Sequence, residues 1–405
     1  MKIQLVPNNE LSAKIKVLGV GGAGGNAVND MIASQMAGVD FMAANTDAQA
    51  LERSLASVKI ALGPTVTRGL GAGGDPEMGR NATLEETERL KQVLQGADMV
   101  FIAAGMGGGT GTGGAPVIAE ISRELGALTV AVVSKPFDFE GKMKKRLAEA
   151  GIDELRKVVD TIITIPNDQL FKLSSKNSRI KDVFSMANEV LGFAVRGISD
   201  LIMVPGFVNL DFADVRTIMR ERGMALMGTG ISGGANRACE AAQKAISSPL
   251  LEDVSIRGAR GILINITSSP DISMEELKEI CGIVQEEADD EAIIKWGLVY
   301  DEALAEEIRV TVIATGLGKR PEAERVIWSG PVHSQADMDD LEIPTILRKG
   351  TEMPGMAGMA ASGHQAERRP SPNLGVVNAK KYIVHPDLQY EENELDTPPF
   401  LRKAD

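Results

Sequence analysis

Residues 105–114 constrain this chain more than any other segment, because seven of the ten are glycine and two, Thr110 and Thr112, are threonine. The preceding residues, 98–104, predict a buried strand, and residues 116–125 predict a helix with one apolar face. Glycine leaves backbone N–H groups accessible to an anion, and a helix start adds the positive end of its dipole. A flexible linker is the alternative, but linkers do not join a buried strand to an amphipathic helix. The segment therefore predicts a phosphate-binding loop.

A second glycine-rich segment follows a predicted strand near the start of the chain. Gly19, Gly21 and Gly24 fit the pattern G-x-G-x-x-G, which alone suggests a dinucleotide-binding turn with Asp40 or Asp47 as the ribose acid. Neither segment contains the lysine of an ordinary P-loop. Two glycine loops exceed what one pyrophosphate requires, so they favour a nucleotide whose phosphates are bound from two sides.

Residues 107–113, Gly-Gly-Gly-Thr-Gly-Thr-Gly, match the tubulin signature, and the chain resembles the FtsZ family of tubulin-like bacterial division GTPases. The resemblance extends from about residue 14 to residue 317 and returns in the last ten residues. Further matching segments carry it, at residues 21–26, 45–47, 69–76, 135–141, 165–168, 209–214 and 396–405.

Strand-like runs at 15–20, 99–104, 128–133 and 161–165 alternate with helical patterns, which predicts an α/β fold with a parallel sheet covered by helices on both faces. A second α/β region runs to about residue 317, with strands predicted at 261–267, 298–300 and 308–314. Apolar residues at helical spacing predict one long helix between two such regions. The resemblance implies a tubulin/FtsZ-like fold with a second, smaller α/β domain and a disordered C-terminal tail. The expected divisions are a flexible N-terminus (1–13), a GTP-binding domain (14–178), a central helix (179–205), a C-terminal, GTPase-activating domain (206–317), a disordered linker (318–394) and a docking peptide (395–405).

Composition narrows the function classes. The 405 residues are 43% hydrophobic, which suffices for two or three domains, and the net charge of −13 argues against nucleic acid as the main ligand. Cys239 and Cys281 lack metal-binding or redox spacing, so we expect reduced thiols in a cytosolic protein. No apolar run approaches the roughly 20 residues that span a bilayer. Membrane contact is therefore expected through partners, without direct insertion.

Several residues outside the glycine loops are candidates for the sugar and the base. Phe184 and Asn188 lie one helical turn apart, so one can stack on guanine and the other can read its edge. From the residues alone, the simpler interpretation is that Phe184 belongs to the core and that Asn188 is a hydrogen-bonded amide between domains. The resemblance favours base contacts instead, because both positions match base-contacting residues of the family. The resemblance also implies a sugar contact for Glu140 and a base or ribose contact for Asn167. Taken alone, Asn167 after a strand indicates a turn.

Two positions depart from the family pattern. Lys144 stands where the family generally has arginine, and lysine supplies charge without the bidentate fork. Arg146 is a possible substitute, and Asp75 stands where the family often has asparagine. The expected contacts to GTP or GDP are Gly21, Gly22, Ala23, Gly24, Gly25, Asn26, Asn45, Gly73, Gly74, Gly107, Gly108, Gly109, Thr110, Gly111, Thr112, Gly113, Glu140, Lys144, Asn167, Phe184 and Asn188.

Hydrolysis of GTP needs an oriented water and a charge that neutralises the phosphates, for which Mg²⁺ held mainly by the phosphates is expected; no metal site built from side chains is predicted. Asp211 and Asp214 lie three residues apart before a predicted helix. Taken alone, a helix N-cap is the simpler interpretation. The resemblance implies that this loop enters the nucleotide pocket of the next subunit, where both carboxylates orient the water and Asn209 supports the loop. Assembly would then be head to tail and would generate filaments.

The last residues, 395–405, place Phe400 and Leu401 between acidic and basic residues, as in a peptide that binds a partner groove. An ordinary frayed terminus is the alternative. The resemblance implies that membrane-anchoring and regulatory division proteins, FtsA- and ZipA-like, bind there. Residues 341–349 echo the terminal sequence, either as a second docking site or by coincidence.

The resemblance thus implies a polymerising GTPase that forms the division ring at midcell, in the cytoplasm at the inner face of the membrane. An NAD-linked oxidoreductase is an alternative that rests on G-x-G-x-x-G alone, and all three histidines fall in the predicted tail. A nucleotide-bound scaffold without hydrolysis is a second alternative. The presence of Asp211 and Asp214 argues against it.

Overall fold

A computed structural model describes residues 13–173, 179–204, 206–220, 223–251, 256 and 258–317. The predicted linker (318–394), the docking peptide (395–405), the echo at 341–349 and all but the last residue of the predicted flexible N-terminus lie outside this part of the chain. The strands within it are β1 (Ile15–Val20), β2 (Val39–Asn45), β3 (Val58–Ala61), β4 (Met99–Gly105), β5 (Leu128–Lys135), β6 (Thr161–Pro166), β7 (Gly223–Gly233), β8 (Gly261–Ser268), β9 (Ile293–Tyr300) and β10 (Glu307–Leu317).

The helices alternate with these strands, most strictly in the first half of the chain. Within the described ranges they are α1 (Gly21–Ala33), α2 (Ala48–Glu52), α3 (Pro76–Glu85), α4 (Thr87–Leu94), α5 (Thr110–Glu124), α6 (Lys142–Val158), α7 (Asn167–Leu173), α8 (Ile180–Met203), α9 (Phe212–Met219), α10 (Arg237–Ile246) and α11 (Met274–Glu287). None of these described helices combines the length and the apolar composition that crossing a bilayer requires.

One sheet contains all the described strands, in the order β3-β2-β1-β4-β5-β6-β7-β10-β8-β9. The six strands from β3 to β6 run parallel, with Ile15 opposite both Val39 and Met99. Among the described residues, three pairs, 161–163 with 223–225, join β6 to β7. Beyond that junction, β10 is antiparallel to both β7 and β8, and β9 is parallel to β8. The sheet therefore has a parallel half and a mixed half that meet along a short edge.

The parallel half is buried on both faces, as its continuous apolar strands predict. Phe101 and Val130 belong to the core on the α8 side, while Ile102 and Val133 belong to the core against α4, α5 and α6. These strands end together at one edge of the sheet, and the loops and helix starts that follow them are therefore gathered there.

Helix α8 packs against both halves of the sheet. Val190, Ala194 and Ile198 are buried in a core that also contains Val132 of β5 and Ile313 of β10. Because an α-helix rises about 1.5 Å per residue, its 24 residues span roughly 36 Å. The predicted long helix between two regions is thus confirmed over Ile180–Met203, while the division of the chain into domains at its two ends stays a prediction.

The strands predicted at 15–20, 99–104, 128–133, 161–165, 261–267, 298–300 and 308–314 all lie within observed strands. Sequence patterns missed β2, β3 and β7. Strand β7 contains four glycines, which lower strand propensity. The prediction that α5 begins at Pro116 is wrong, because the helix begins six residues earlier, at Thr110. The glycine run is therefore partly helix, not only loop.

Candidate functional site

The two glycine-rich segments meet at the carboxyl edge of the parallel strands. Helix α1 begins at Gly21, directly after β1, and α5 begins five residues after β4. Gly21 has φ of +72°, and a Cβ at this residue would lie 3.2 Å from the backbone nitrogen of Gly111. Two helix N-termini are therefore side by side, and each offers free N–H groups and a partial positive charge to an anion.

The start of α5 is shaped by its threonines as well as its glycines. The first helical bond runs from Gly113 N to Gly109 O, so the N–H groups of residues 110–112 precede it. The buried Thr112 hydroxyl accepts a 2.8 Å bond from Gly107 N and fixes the loop. The Thr110 hydroxyl lies 2.6 Å from that of Thr46, which follows β2.

A cavity of about 260 Å³ lies against both glycine segments. Twelve of the expected nucleotide contacts line it, namely Gly21, Gly22, Ala23, Gly108, Gly109, Thr110, Gly111, Glu140, Lys144, Asn167, Phe184 and Asn188. An adjoining cavity shares Gly21 and Gly22 and is also lined by Gly25, Asn26 and Asn45. The structure thus brings expected contacts from six separate parts of the sequence to these two adjoining cavities.

Aromatic and amide side chains form the α8 end of the 260 Å³ cavity, which is called the main cavity below. The Phe184 side chain is 43% exposed and meets the buried Phe137 ring edge-on, with centroids 5.3 Å apart. The Asn188 Nδ2 atom donates a 2.9 Å bond to Asp30 Oδ2 on α1. This bond directs the amide oxygen of Asn188 away from Asp30. A flat apolar surface and an orientated acceptor therefore lie one turn apart.

Three further polar residues line the cavity wall. Glu140 accepts a bond from Phe137 N at 2.9 Å and another from Lys144 Nζ at 3.0 Å, so the two charged groups are paired. Asn167 is 6% exposed, and its Oδ1 atom has no hydrogen-bond partner among the described residues. Buried polar atoms in native proteins almost always have a partner. The orphaned oxygen therefore points to a ligand or water donor in this cavity.

The loop after α8 that contains Asn209, Asp211 and Asp214, called the acidic loop below, is held together by hydrogen bonds from its own side chains. Asn209 Oδ1 accepts from Gly206 N at 2.7 Å, and Asn209 Nδ2 donates to Val204 O at 2.6 Å. Asp211 caps α9 by accepting a 2.7 Å bond from Asp214 N. The N-cap expected from the bare sequence is thus present at Asp211.

The acidic loop and the main cavity lie at opposite ends of α8. Asn188 is near the start of the helix, and Val204 caps its end. Sixteen residues of helix separate them by roughly 24 Å. The described residues that line the two cavities do not include Asn209, Asp211 or Asp214. One chain therefore holds the cavity and the acidic loop apart.

Comparison with known proteins identifies this arrangement. Residues 14–175 match the model of the Tubulin/FtsZ family GTPase domain, and residues 223–318 match that of the FtsZ family C-terminal domain. The chain is 47% identical to the cell division protein FtsZ of Pseudomonas aeruginosa and 54% identical to that of Azotobacter vinelandii, in each case over 99% of both chains. This chain belongs to the FtsZ family.

Solved structures of FtsZ relatives agree with the fold. An empty FtsZ dimer from M. jannaschii is 45% identical, with a TM-score of 0.72 over 75% of this chain and 88% of that one. CetZ1 from Haloferax volcanii, solved as a GDP-bound monomer, is 20% identical with a TM-score of 0.65, which supports the fold alone. The predicted resemblance, the tubulin/FtsZ-like fold and the GTPase class are thereby confirmed.

Not every expected contact of the FtsZ pattern reaches a cavity. Those that line neither are Gly24, Gly73, Gly74, Gly107, Thr112 and Gly113. A Cβ on Gly24 would lie 2.1 Å from Ala103 O, and one on Gly113 would lie 1.9 Å from Pro76 O. Gly24 thus allows α1 to pack closely against β4, and Gly113 allows α5 to pack closely against α3, which explains their presence without ligand contact. Of the two candidate ribose acids, Asp40 is exposed in β2 and Asp47 caps α2.

Sequence reasoning missed several residues of this FtsZ-family site. Ser134, at the end of β5, lines the main cavity. A rule that ligands bind at the carboxyl ends of parallel strands could have found it. Asp30 orientates Asn188 across 158 residues of sequence, and Lys295 contacts Asp214, but no local pattern points to either.

Proposed function

We propose that this chain hydrolyses GTP in filaments of the bacterial division ring, at sites that two adjacent subunits complete. The observation that carries this proposal is the separation of the main cavity and the acidic loop along α8. The main cavity holds groups suited to a nucleotide, and the acidic loop holds the carboxylates, roughly 24 Å away in the same chain. A site containing both halves therefore needs a second subunit.

Head-to-tail contact follows from this geometry. A subunit that places its acidic loop in its neighbour's cavity leaves its own cavity open for a third subunit. Such heterologous contacts do not close by two-fold symmetry and extend into a filament. In this proposal residues 14–178 form the GTP-binding domain, 179–205 the central helix and 206–317 the domain that activates hydrolysis.

Guanine recognition is assigned to the Phe184 and Asn188 end of the cavity. Guanine presents N–H donors along its pairing edge, whereas adenine presents a ring acceptor beside its amino group. The Asn188 amide donates to Asp30, so its oxygen faces the base as an acceptor. That orientation favours guanine over adenine. Phe184 supplies the apolar face on which the base stacks.

The phosphates are assigned to the N-termini of α1 and α5. Backbone N–H groups there, together with the Thr110 hydroxyl, would bind the phosphate oxygens. The described residues contain no group of three or more His, Cys, Asp or Glu side chains that could hold a metal ion. The Thr110 hydroxyl that lines this end of the cavity is an oxygen donor of the kind that suits Mg²⁺ bound mainly by the phosphates, because Mg²⁺ retains water and uses few protein ligands. Its charge would neutralise the β and γ oxygens.

Asp211 and Asp214 are assigned to the attacking water. Both precede or begin α9, and Asn209 closes the loop that presents them. In line with a γ-phosphate of the neighbouring subunit, a carboxylate pair orients water and accepts its proton. Within the described part of the chain, neither of the two cavities beside the glycine segments is lined by these acids.

Residues 395–405 are assigned as the docking peptide for FtsA- and ZipA-like anchors and regulators at midcell, on the inner face of the membrane. Repetition along a filament would strengthen weak peptide contacts. Removing these residues is expected to leave GTP turnover unchanged and to abolish recruitment of filaments to anchor-coated vesicles. Unchanged recruitment would contradict the assignment.

The test of the shared site is phosphate release measured against protein concentration, with binding of GTP, ATP and NAD compared in parallel. A GTP-specific rate per molecule should be negligible in dilute solution and should rise above a threshold concentration. A rate per molecule that is independent of concentration would mean that one chain completes the site. The assignment of Asp211 and Asp214 to the neighbouring pocket would then be wrong.

A further inference from the structure

Lys295 on β9 contacts the acidic loop directly. Its Nζ lies 2.8 Å from Asp214 Oδ1, and both side chains are partly buried, at 39% and 32% exposure. The hydrogen bond that Lys295 donates to Asp214, together with the charge of that carboxylate, raises the pKa of Lys295, with a smaller contribution from Asp211, so the ammonium stays charged. Residues 293–296 are otherwise apolar. The single cation of this segment therefore lies against one of the two proposed catalytic carboxylates.

Strand β9 also contacts the same loop before Asp211, at Phe207 and Val208. Leu298 O accepts from Phe207 N at 3.0 Å, and Leu298 N donates to Val208 O at 2.9 Å. A Cβ on Gly206 would lie 2.3 Å from Leu298 O, so this approach is close. Leu298 thus fixes the loop before Asp211, and Lys295 fixes it after. Lys295 and Leu298 both belong to β9, which is paired with β8 along its whole length.

The two acids have different partners. Asp211 accepts an N–H bond at the helix start, and Asp214 receives the Lys295 ammonium. Without a cation, two like charges three residues apart repel each other, and a triphosphate brought close would repel both. With about a third of each side chain in contact with solvent, this ion pair adds little to stability. The contribution of Lys295 is therefore to the position and charge of Asp214, not to the fold.

We propose that Lys295 is a positioning residue of the shared site, which holds the Asp214 carboxylate in its working orientation when the loop enters the neighbouring subunit. This inference rests on the proposed function of the acidic loop. Lys295 acts through Asp214 and affects the chemical step, whereas nucleotide binding depends on the cavity of the other subunit.

The first test compares kcat and KM per polymerised subunit, with polymer measured by sedimentation. Lys295→Met is expected to lower kcat about tenfold, the effect of losing one well-placed interaction, with KM for GTP unchanged. Lys295→Arg should restore most of the rate, and Lys295→Gln should behave like Lys295→Met. Lys244→Met is the control, because Lys244 pairs with Glu240 in the same half of the chain but away from the loop. A kcat for Lys295→Met within twofold of the unsubstituted chain would overturn the proposal.

The second test mixes variants. Lys295→Met subunits keep an intact cavity, and a Phe184→Ala/Asn188→Ala variant keeps an intact acidic loop. A copolymer of the two should turn over GTP faster than the sum of the separate variants, whereas Lys295→Met mixed with Asp214→Asn should gain nothing. Equal rates in both mixtures would reject action through the neighbour. If the unsubstituted chain has no concentration threshold, the proposed function itself fails, whatever Lys295 does.

Discussion

The two ends of α8 are built in different ways. At its start, the main cavity consists largely of main chain, with glycines that bring α1, α5 and the strands into close contact. After its end, the acidic loop depends on side chains, with Asn209, Asp211, Asp214 and Lys295 each making a specific bond. A Cβ at Gly24, Gly111 or Gly113 would collide with backbone, so these glycines cannot be replaced without moving main chain, whereas the loop's residues can be exchanged one by one. Binding and hydrolysis should therefore respond to substitution in separable ways.

The largest difference between the effect on GTP hydrolysis and the effect on GTP binding is expected from Asp214→Asn. Loss of this carboxylate should lower GTP turnover per polymerised subunit by about 100-fold or more, because it removes a proposed proton acceptor. GTP affinity should stay unchanged, since Asp214 does not line the cavity. Turnover by phosphate release and affinity by equilibrium binding measure the two effects. Asp153→Asn, at an exposed position of α6, is the control. Wild-type turnover in Asp214→Asn filaments would remove the distinction between the two ends.

Gly111→Ala tests the main-chain end. Its Cβ would lie 2.5 Å from Gly105 O, so strand and helix must separate. We expect a loss of about 1–3 kcal/mol in the free energy of unfolding and a matching loss of GTP binding. Chemical denaturation and nucleotide titration measure these. At Gly282, in the interior of α11, a Cβ meets open space, so Gly282→Ala should leave GTP binding unchanged and raise the free energy of unfolding by about 0.5–1 kcal/mol. Normal GTP binding by Gly111→Ala would mean that the close approach is dispensable.

A third prediction concerns a charge buried along α8 itself. Burial raises the pKa of Asp200 from an ordinary 3.8 to about 6; Arg196 and Arg309 oppose the rise and Asp301 adds to it. The folded state thus binds a proton that the unfolded state has lost, and stability falls as pH rises through this window. Asp200→Asn removes that dependence. Its stability relative to the unsubstituted chain should grow by roughly 2–3 kcal/mol between pH 4 and pH 7. A pH-independent difference would contradict it.

The smallest predicted effect is on base selectivity. Asp30→Ala frees the Asn188 amide to rotate, so the preference for GTP over ATP should fall about tenfold, or roughly 1.4 kcal/mol. Competition binding of the two nucleotides measures this ratio. Asp40→Ala removes an exposed acid from the same half and should leave the ratio unchanged. An unaltered ratio in Asp30→Ala would show that Asn188 needs no orientation.

The predictability of the molecule follows the same division. The glycine loops and the strands that are buried along nearly their whole length, β1, β4, β5, β6 and β8, could be predicted from the sequence, because composition over a few residues determines them. Strand β7 and the early start of α5 could not, since glycine has a weak preference for either structure and tertiary packing decides. The Asp30–Asn188 and Lys295–Asp214 contacts join residues distant in sequence, so no local pattern contains them.

The placement of the cavity and the acidic loop at opposite ends of α8 has a consequence for the two tips of a filament. In the proposed head-to-tail arrangement, the subunit at one tip has a nucleotide pocket that no neighbour covers, and the subunit at the other tip has acids with nothing to act on. GTP at the uncovered tip would persist while interior GTP is consumed. The two tips would thus differ chemically, and the proportion of GDP along a filament would increase with the time since each subunit was added.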